Sequence, residues 1–532
     1  MGKMTEPVSA QDYTLEYLRA YFELLGDEDE GMAHWLALMD LSIEEWRFND
    51  SQRLLRAAKG FSLSPYAAGQ IHLAVGDLYR QQCAWEEAAL SYQCALESFR
   101  CLDKRADEAM VLNNLALALQ EQGHYEEAIS YYGEATAIYQ ELGDFEGLGH
   151  VLSNLGSVAD AQGNWRKAVH YYQQSAEALE QTGAEKDLAG VFNNLGVAYE
   201  NQGEWTEAER CYLHCVDLLD KIGESYSTSG MRVLGNLGQL YARQAAWEKA
   251  ANCYRWALEI CHELEDLYSE SMTWNNLGTV YTRQGDHAQA TECYQRSAEL
   301  HHHLGDLQGE ALALSNLGSA YDDLGNLELA ETCYRNSLSL SEELGEVYGV
   351  ARAYNNLGVL YEKQGLYAEA ITHYKRCVRI VRDLGDSYRE VTTLINICSL
   401  YEVMMETEEA TPYFNRAWEV AEARDYNDRL MSLCLLRGDV AFRQLESFPE
   451  AYHWYARACQ YASCYNPQAL EEVIHRIHRH LERMQQRAQH REAKEFCTTL
   501  LSIWAGSELR EQKPKFVEDL QKLATENILQ PG

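Results

Sequence analysis

Residues 274–281 read Trp274-Asn275-Asn276-Leu277-Gly278-Thr279-Val280-Tyr281, and the chain runs on through Gln284-Gly285 to Ala290-x-x-x-Tyr294. Trp274, Leu277 and Tyr281 fall three and four residues apart, so they share one face of a helix. Gly285 breaks the pattern, and Ala290 with Tyr294 restarts it, which predicts helix, turn and helix. Gly278 and Ala290 are small where each helix must admit a close neighbour.

The same string recurs along most of the chain. The Gly278 column contains Gly76, Ala116, Gly156, Gly196, Gly238, Gly278, Gly318, Gly358, Cys398 and Gly438, at intervals of 40 residues except for 42 between Gly196 and Gly238. The Ala290 column runs from Ala88 to Ala451, and an aromatic stands four residues after every member. Ten units are therefore expected. Small residues suit the crossing of helices about 8–10 Å apart, and a large ring fills the wider gap beside them. One helical pair cannot bury this surface alone, so each unit needs its neighbours. Turn signals agree with this: Gly123, Gly163, Gly203, Gly285, Gly325 and Gly365 separate the helices of a pair, and Gly143, Gly305, Gly345 and Gly385 close units.

These residues resemble the tetratricopeptide repeat, whose pattern Trp-x-x-Leu-Gly-x-x-Tyr followed by Ala is present from Trp274 onward. The period is 40 rather than 34, and a Leu-Gly-Asp extension replaces the family's closing Pro. This longer form resembles the repeats of LGN/Pins-like adaptors, kinesin light chains and bacterial scaffolds. The resemblance implies an all-α, right-handed α-solenoid that binds a protein or peptide along a concave face lined by the first helix of each pair. It spans residues 63–465. Residues 1–62 are expected to form a helical cap or degenerate repeat, and 466–532 a C-terminal helical cap. In that cap Leu470, Val473, Ile474, Ile477, Leu481 and Met484 predict an amphipathic helix with Arg476, Arg479, Arg483 and Arg487 outside.

Composition narrows the function. Only 7 of the 532 residues are Pro, and none lies between Pro65 and Pro412, so helix is permitted throughout that span. A net charge of -37 disfavours nucleic acid and anionic membranes as partners. No apolar run approaches the roughly 18 residues that span a bilayer. The 15 Cys form no C-x-x-C pair, and the first residues lack a basic and apolar leader, so a cytoplasmic location is expected. Phosphate-loop, zincin, dinucleotide and nucleophile-elbow signatures are missing, so neither an enzyme nor a cofactor is expected.

The candidate site residues stand two and three places before the Gly column. The nearer position is Asn in eight consecutive units: Asn114, Asn154, Asn194, Asn236, Asn276, Asn316, Asn356 and Asn396. The farther one includes Asn113, Asn193, Asn275 and Asn355, alternating with Ser153, Gly235, Ser315 and Ile395. Asn is a mediocre helix former, so such a column in mid-helix calls for a reason. Its amide donates and accepts at once, which suits the backbone of an extended peptide, and the resemblance implies that use. Bonding to the adjoining repeat is the alternative, and both uses stay open.

On the same face stand Arg232, Arg243, Arg283, Arg352 and Lys363, interleaved with Asp160, Glu200, Asp322, Glu362 and Glu402. The basic residues suit an acidic segment of a partner. A ligand-gated regulator and a self-assembling protein are the other functional classes, and a homo-oligomer is possible in either. Cys211, Cys253, Cys293 and Cys333 form a column three residues after the Ala column. Equivalent atoms in adjacent repeats lie about 10 Å apart, too far for a disulfide or zinc, so packing is expected. His301-His302-His303 and His475, His478 and His480 are expected at the surface or in caps, with no metal.

Overall fold

The computed structural model describes residues 64–443, 447–465, 467–486 and 490–504, with 517, 518, 520, 521 and 524. The expected N-terminal cap at 1–62 lies outside the described residues. The chain divides between Asp266 and Leu267 into two compact units, so the repeats are shared between them.

In the first unit the helices are α1 (Pro65–Gln81), α2 (Trp85–Cys101), α3 (Arg105–Glu121), α4 (Tyr125–Leu142), α5 (Phe145–Ala161), α6 (Trp165–Glu180), α7 (Glu185–Gln202), α8 (Trp205–Lys221), α9 (Thr228–Arg243) and α10 (Trp247–Glu263). The second unit holds α11 (Leu267–Gln284), α12 (His287–Leu304), α13 (Leu307–Asp323), α14 (Leu327–Leu344), α15 (Val347–Lys363), α16 (Tyr367–Asp383), α17 (Ser387–Val403), α18 (Thr407–Ala423), α19 (Asn427–Arg443), α20 (Phe448–Tyr465), α21 (Pro467–Gln486) and α22 (His490–Trp504). Among the described residues, five antiparallel pairs stack in file in each unit, and α21 and α22 follow the last pair. The fold is all-α and solenoidal, with no strand among the described residues.

The turns explain the Leu-Gly-Asp signature. At Gly305 the backbone turns left-handed (φ 69°), a conformation that glycine adopts without a Cβ penalty and that ends α12. Asp306 then caps α13, its Oδ1 accepting from the amide of Gly309 at 3.0 Å. One dipeptide thus closes a helix and opens the next. The 42-residue interval is built likewise: Ser227 Oγ accepts from the amide of Gly230 at 3.2 Å and starts α9.

Within each pair the Gly column meets the aromatic column. A Cβ on Gly358 would lie 2.5 Å from Cε1 of Tyr374, and the same approach recurs from Gly76 against Tyr92 to Gly438 against Tyr455. Tyr92, Tyr132, Tyr212 and Tyr374 are completely buried. The ring lies flat on the first helix because nothing projects there, and each such burial stabilises the stack by about 2 kcal/mol.

The Cys column packs as expected. Cys211, Cys253, Cys293 and Cys333 are all buried and unbridged. Burial pushes the thiols of Cys211, Cys253 and Cys333 up to about 11, which keeps them protonated and unreactive. The His groups divide. His302 and His303 are exposed, but His301 is buried with Nδ1 2.8 Å from Asp306 Oδ2, and His480 is buried against Asp439. Arg476, expected to point outward, is half-buried and donates to Asp439 Oδ2 at 3.1 Å. The apolar stripe of α21, from Leu470 to Met484, is buried as its spacing predicts.

Candidate ligand-binding face

The first helices of the pairs carry every candidate site residue, and most of the Asn side chains bond to one another. Across repeat boundaries, Asn154 donates to Oδ1 of Asn113 at 2.9 Å and Asn236 to Oδ1 of Asn193 at 3.0 Å. Asn316 donates to Oδ1 of Asn275 at 2.9 Å, and Asn356 to Oγ of Ser315 at 3.3 Å. The nearer position in one repeat therefore grips the farther position of the repeat before it. Asn113 and Asn193 also donate to their own neighbours Asn114 and Asn194, at 3.4 and 3.3 Å. Asn114 reaches Asp77 at 3.4 Å, and Asn396 bonds to the hydroxyl of Tyr374. Most members of the columns are half-buried, whereas Asn276 is exposed.

The acidic residues between the Asn columns also have structural work. Where the aromatic of a pair is Tyr, as at Tyr92, Tyr212 and Tyr374, its hydroxyl reaches this face and needs an acceptor there. Tyr212 donates to Glu200 at 3.1 Å, Tyr374 to Glu362 at 3.0 Å and Tyr92 to Asp77 at 2.7 Å. Burial, and then the neighbouring carboxylate, push all three phenols well above their ordinary range, so they stay donors. In unit two of this acidic set, Asp322 instead pairs with Lys363 Nζ at 2.8 Å. Sequence reading missed the hydroxyl anchor, although an acid four residues after the Gly column paired with a Tyr twelve further on was a visible signal.

The five basic candidates separate into two kinds. Arg243 pairs with Glu200 at 3.2 Å, and Lys363 with Asp322 as above. Arg232, Arg283 and Arg352 are exposed and make no ion pair or hydrogen bond among the described residues. Arg232 and Arg243 belong to the first unit, and Arg283 to the second. Arg352 and Asn355 line a recess of about 690 Å³ at the starts of α15, α17 and α19. At the starts of α5 and α7, Glu146, His150 and Asp187 bring ligand atoms within 4.8 Å of one another, a set of a sort common without any ion.

No helix among the described residues is long and apolar enough to cross a membrane. The model of the tetratricopeptide repeat matches residues 107–181, 187–263, 269–343, 309–383 and 349–423, together more than half of the chain. Residues 2–60 match the model of anaphase-promoting complex subunit 5. Comparison with curated proteins yields no match. Among solved structures, a Signal Transduction ATPase with Numerous Domains protein with a tetratricopeptide repeat sensor, from Pyrococcus horikoshii, is 18% identical with a TM-score of 0.51. The match covers 69% of this chain and 55% of that one. BtubC from P. vanneervenii is 26% identical with a TM-score of 0.39, covering 42% of this chain and 92% of that one. The apo form of the quorum sensor NprR from B. thuringiensis is 13% identical with a TM-score of 0.42, covering 74% and 99%.

Proposed function

The chain belongs to the tetratricopeptide repeat family, and we propose that it is a protein-interaction scaffold that receives an extended peptide or partner segment along its first-helix face. The observation that carries this reading is the contrast within that face. Asn154, Asn236, Asn316 and Asn356 are committed to neighbouring repeats, while Asn276, Arg283 and Arg352 are exposed and make no hydrogen bond or ion pair among the described residues. Interleaved amide donors and guanidinium groups suit a peptide backbone and acidic side chains respectively. The likeness of residues 2–60 to a subunit of a multiprotein complex supports a role within an assembly rather than as an isolated binder.

The test is affinity capture from the source cell with the full chain and with an Asn276→Ala, Arg283→Glu double variant. Both side chains are exposed, so helicity and melting should match those of the parent chain. The variant is expected to lose the captured partner. Retention of the same partner at the same yield would place the interaction elsewhere.

A further inference from the structure

In six consecutive repeats, from Tyr199 to Tyr401, a Tyr stands three residues after the Gly column. At three of them the hydroxyl meets a side chain from the second helix of the repeat before. Arg335 of α14 donates to Tyr361 at 2.9 Å, and Lys375 of α16 to Tyr401 at 3.1 Å. Gln173 of α6 donates to Tyr199 at 2.8 Å. Arg335, Lys375 and Gln173 share one place, five residues after the Ala column. The seam between successive second helices thus holds a cation of the chain itself at Tyr361 and Tyr401. At Tyr199 it holds a neutral amide.

The Tyr199 seam is also open. A recess of about 670 Å³ lies between α6 and α8, floored by Phe192, Leu195 and Tyr199 of α7. His214 of α8 stands edge-on to the Phe192 ring, with centroids 4.4 Å apart. The floor residues fall three and four apart, on another side of α7 from Asn193 and Glu200, so the recess does not belong to the first-helix face. Glu177 and Glu180 of α6 and Asp217 of α8 are exposed around it, and their carboxylates make no ion pair or hydrogen bond among the described residues. Arg210 lines the recess too, but it pairs with Glu207. In the Tyr401 seam the places of Glu177 and Glu180 are taken by Arg379 and Arg382. The place of Asp217 is taken there by Glu419, which pairs with Arg416 at 3.3 Å. The seam that lacks its own cation is therefore the one whose acids are unmatched.

We propose that the recess between α6 and α8 receives an arginine or lysine side chain of a partner protein, carried beside a large apolar residue. The second-helix face is then a second partner surface. The aliphatic stem lies along Leu195 and Phe192, and the charged head reaches the Tyr199 ring and the carboxylates of Glu177 and Asp217. Leu213, 43% exposed on the same wall, offers apolar contact to the residue flanking the cation, which a free amine would leave uncovered. This goes beyond the peptide-binding reading of the first-helix face, because a scaffold joins two partners only by holding them on different surfaces.

The experiment is selection from a displayed library of random dodecapeptides on the full chain. Three variants are run in parallel, each checked for helicity and melting by circular dichroism: Glu177→Lys with Asp217→Lys, Gln173→Lys, and Asn276→Ala with Arg283→Glu. The parent chain is expected to enrich sequences with Arg or Lys at one fixed place beside Leu, Ile or Phe. Replacing that basic residue by Gln in the synthetic peptide should weaken binding about tenfold, the size of one charge-assisted contact. The charge-reversed variant should lose those sequences. Gln173→Lys, which supplies the cation from within as Lys375 does at Tyr401, should lose them too without a fall in melting temperature, and it decides the matter if charge reversal disturbs folding. Asn276→Ala with Arg283→Glu should keep them. Enrichment with no fixed basic residue, or basic sequences held equally by the parent chain and Gln173→Lys, would overturn the proposal. Their loss on Asn276→Ala with Arg283→Glu alone would assign them to the first-helix face and overturn it equally.

Discussion

Asn316 and Asn275, 41 residues apart in sequence, meet side chain to side chain, the amide of Asn316 donating to Oδ1 of Asn275 at 2.9 Å. The bond crosses a repeat boundary and sets the offset between α11 and α13. Asn316→Ala should destabilise the second unit by about 1 kcal/mol, the net worth of one half-buried hydrogen bond. A double-mutant cycle with Asn275→Ala in urea should return a coupling of about 0.5–1 kcal/mol. Zero coupling would mean that the pair does not fix the stack, and that the column serves only a ligand.

The Gly column makes a second stability test. A methyl group at position 318 would lie 2.7 Å from Cε1 of Tyr334. Gly318→Ala therefore forces the ring outward, and a cost of about 1–3 kcal/mol is expected. Ala116, which stands in the same column against the buried Tyr132, shows that a repeat can accommodate the methyl when its pair is built around it. Gly318→Val should cost more, and Tyr334→Leu should recover part of the loss. Thermal melting of the three variants decides the order.

The fold was legible because its signals repeat: eight copies of one Gly-against-Tyr contact, in ten units of the same spacing, expose the two columns without an alignment. The site was less legible. Asn at a fixed place reports that a polar bond is needed there, but not whether the partner is another repeat or a ligand. That depends on what stands 41 residues earlier. Where the earlier residue is Asn113 or Asn275 the amide finds an acceptor in the preceding repeat, and only the geometry shows it. Glu200 is similar. As a letter it is a surface acid, whereas in space it joins Tyr212 to Arg243 across two repeats. The recess at Arg352 was hidden for the opposite reason. Arg389 and Arg429 lie outside the motif, at the helix starts, where no repeated pattern draws attention to them.

Among the described residues six turns depart from the glycine rule, and Ala245 is one of them. It holds φ at 56°, where the Gly residues that end most other helices sit at 66–82°. A Cβ in this region costs energy that Gly does not incur. Ala245→Gly is expected to stabilise the first unit by about 0.5–1 kcal/mol, net of the greater freedom gained by the unfolded chain. An unchanged or lower urea midpoint would show that the turn is unstrained.

Two acids near the end of the stack, half-buried Glu402 on α17 and buried Asp439 on α19, should govern the response to pH. Asp439 accepts from Tyr455 at 2.5 Å and from Arg476 at 3.1 Å, with His480 Nε2 3.0 Å away; Arg443 and Glu402 complete the cluster. Burial pushes the Asp439 carboxyl upward, but the bonds from His480 and Tyr455 and the charge of Arg476 outweigh it, leaving it below the ordinary aspartic range. Its stabilisation is therefore present above the unfolded-state value, near pH 4, and is lost only as pH falls through the lower folded value. Glu402 has the opposite sign. Burial first, and then Asp439, raise its carboxyl against the pull of Arg443 and Arg476, so its ionised form strains the fold at neutral pH and protonation relieves that strain as pH falls. Glu402→Gln should thus raise the melting temperature at pH 7 and leave it unchanged below the unfolded glutamic value. Asp439→Asn removes the anion among Arg476, Arg443 and His480 and should cost about 3 kcal/mol at pH 7. Amide hydrogen exchange across α17, α19, α20 and α21, followed from pH 7 to pH 4, reads both effects at the place where they arise. Equal pH dependence in the parent chain and in both variants would show that the cluster does not set acid stability.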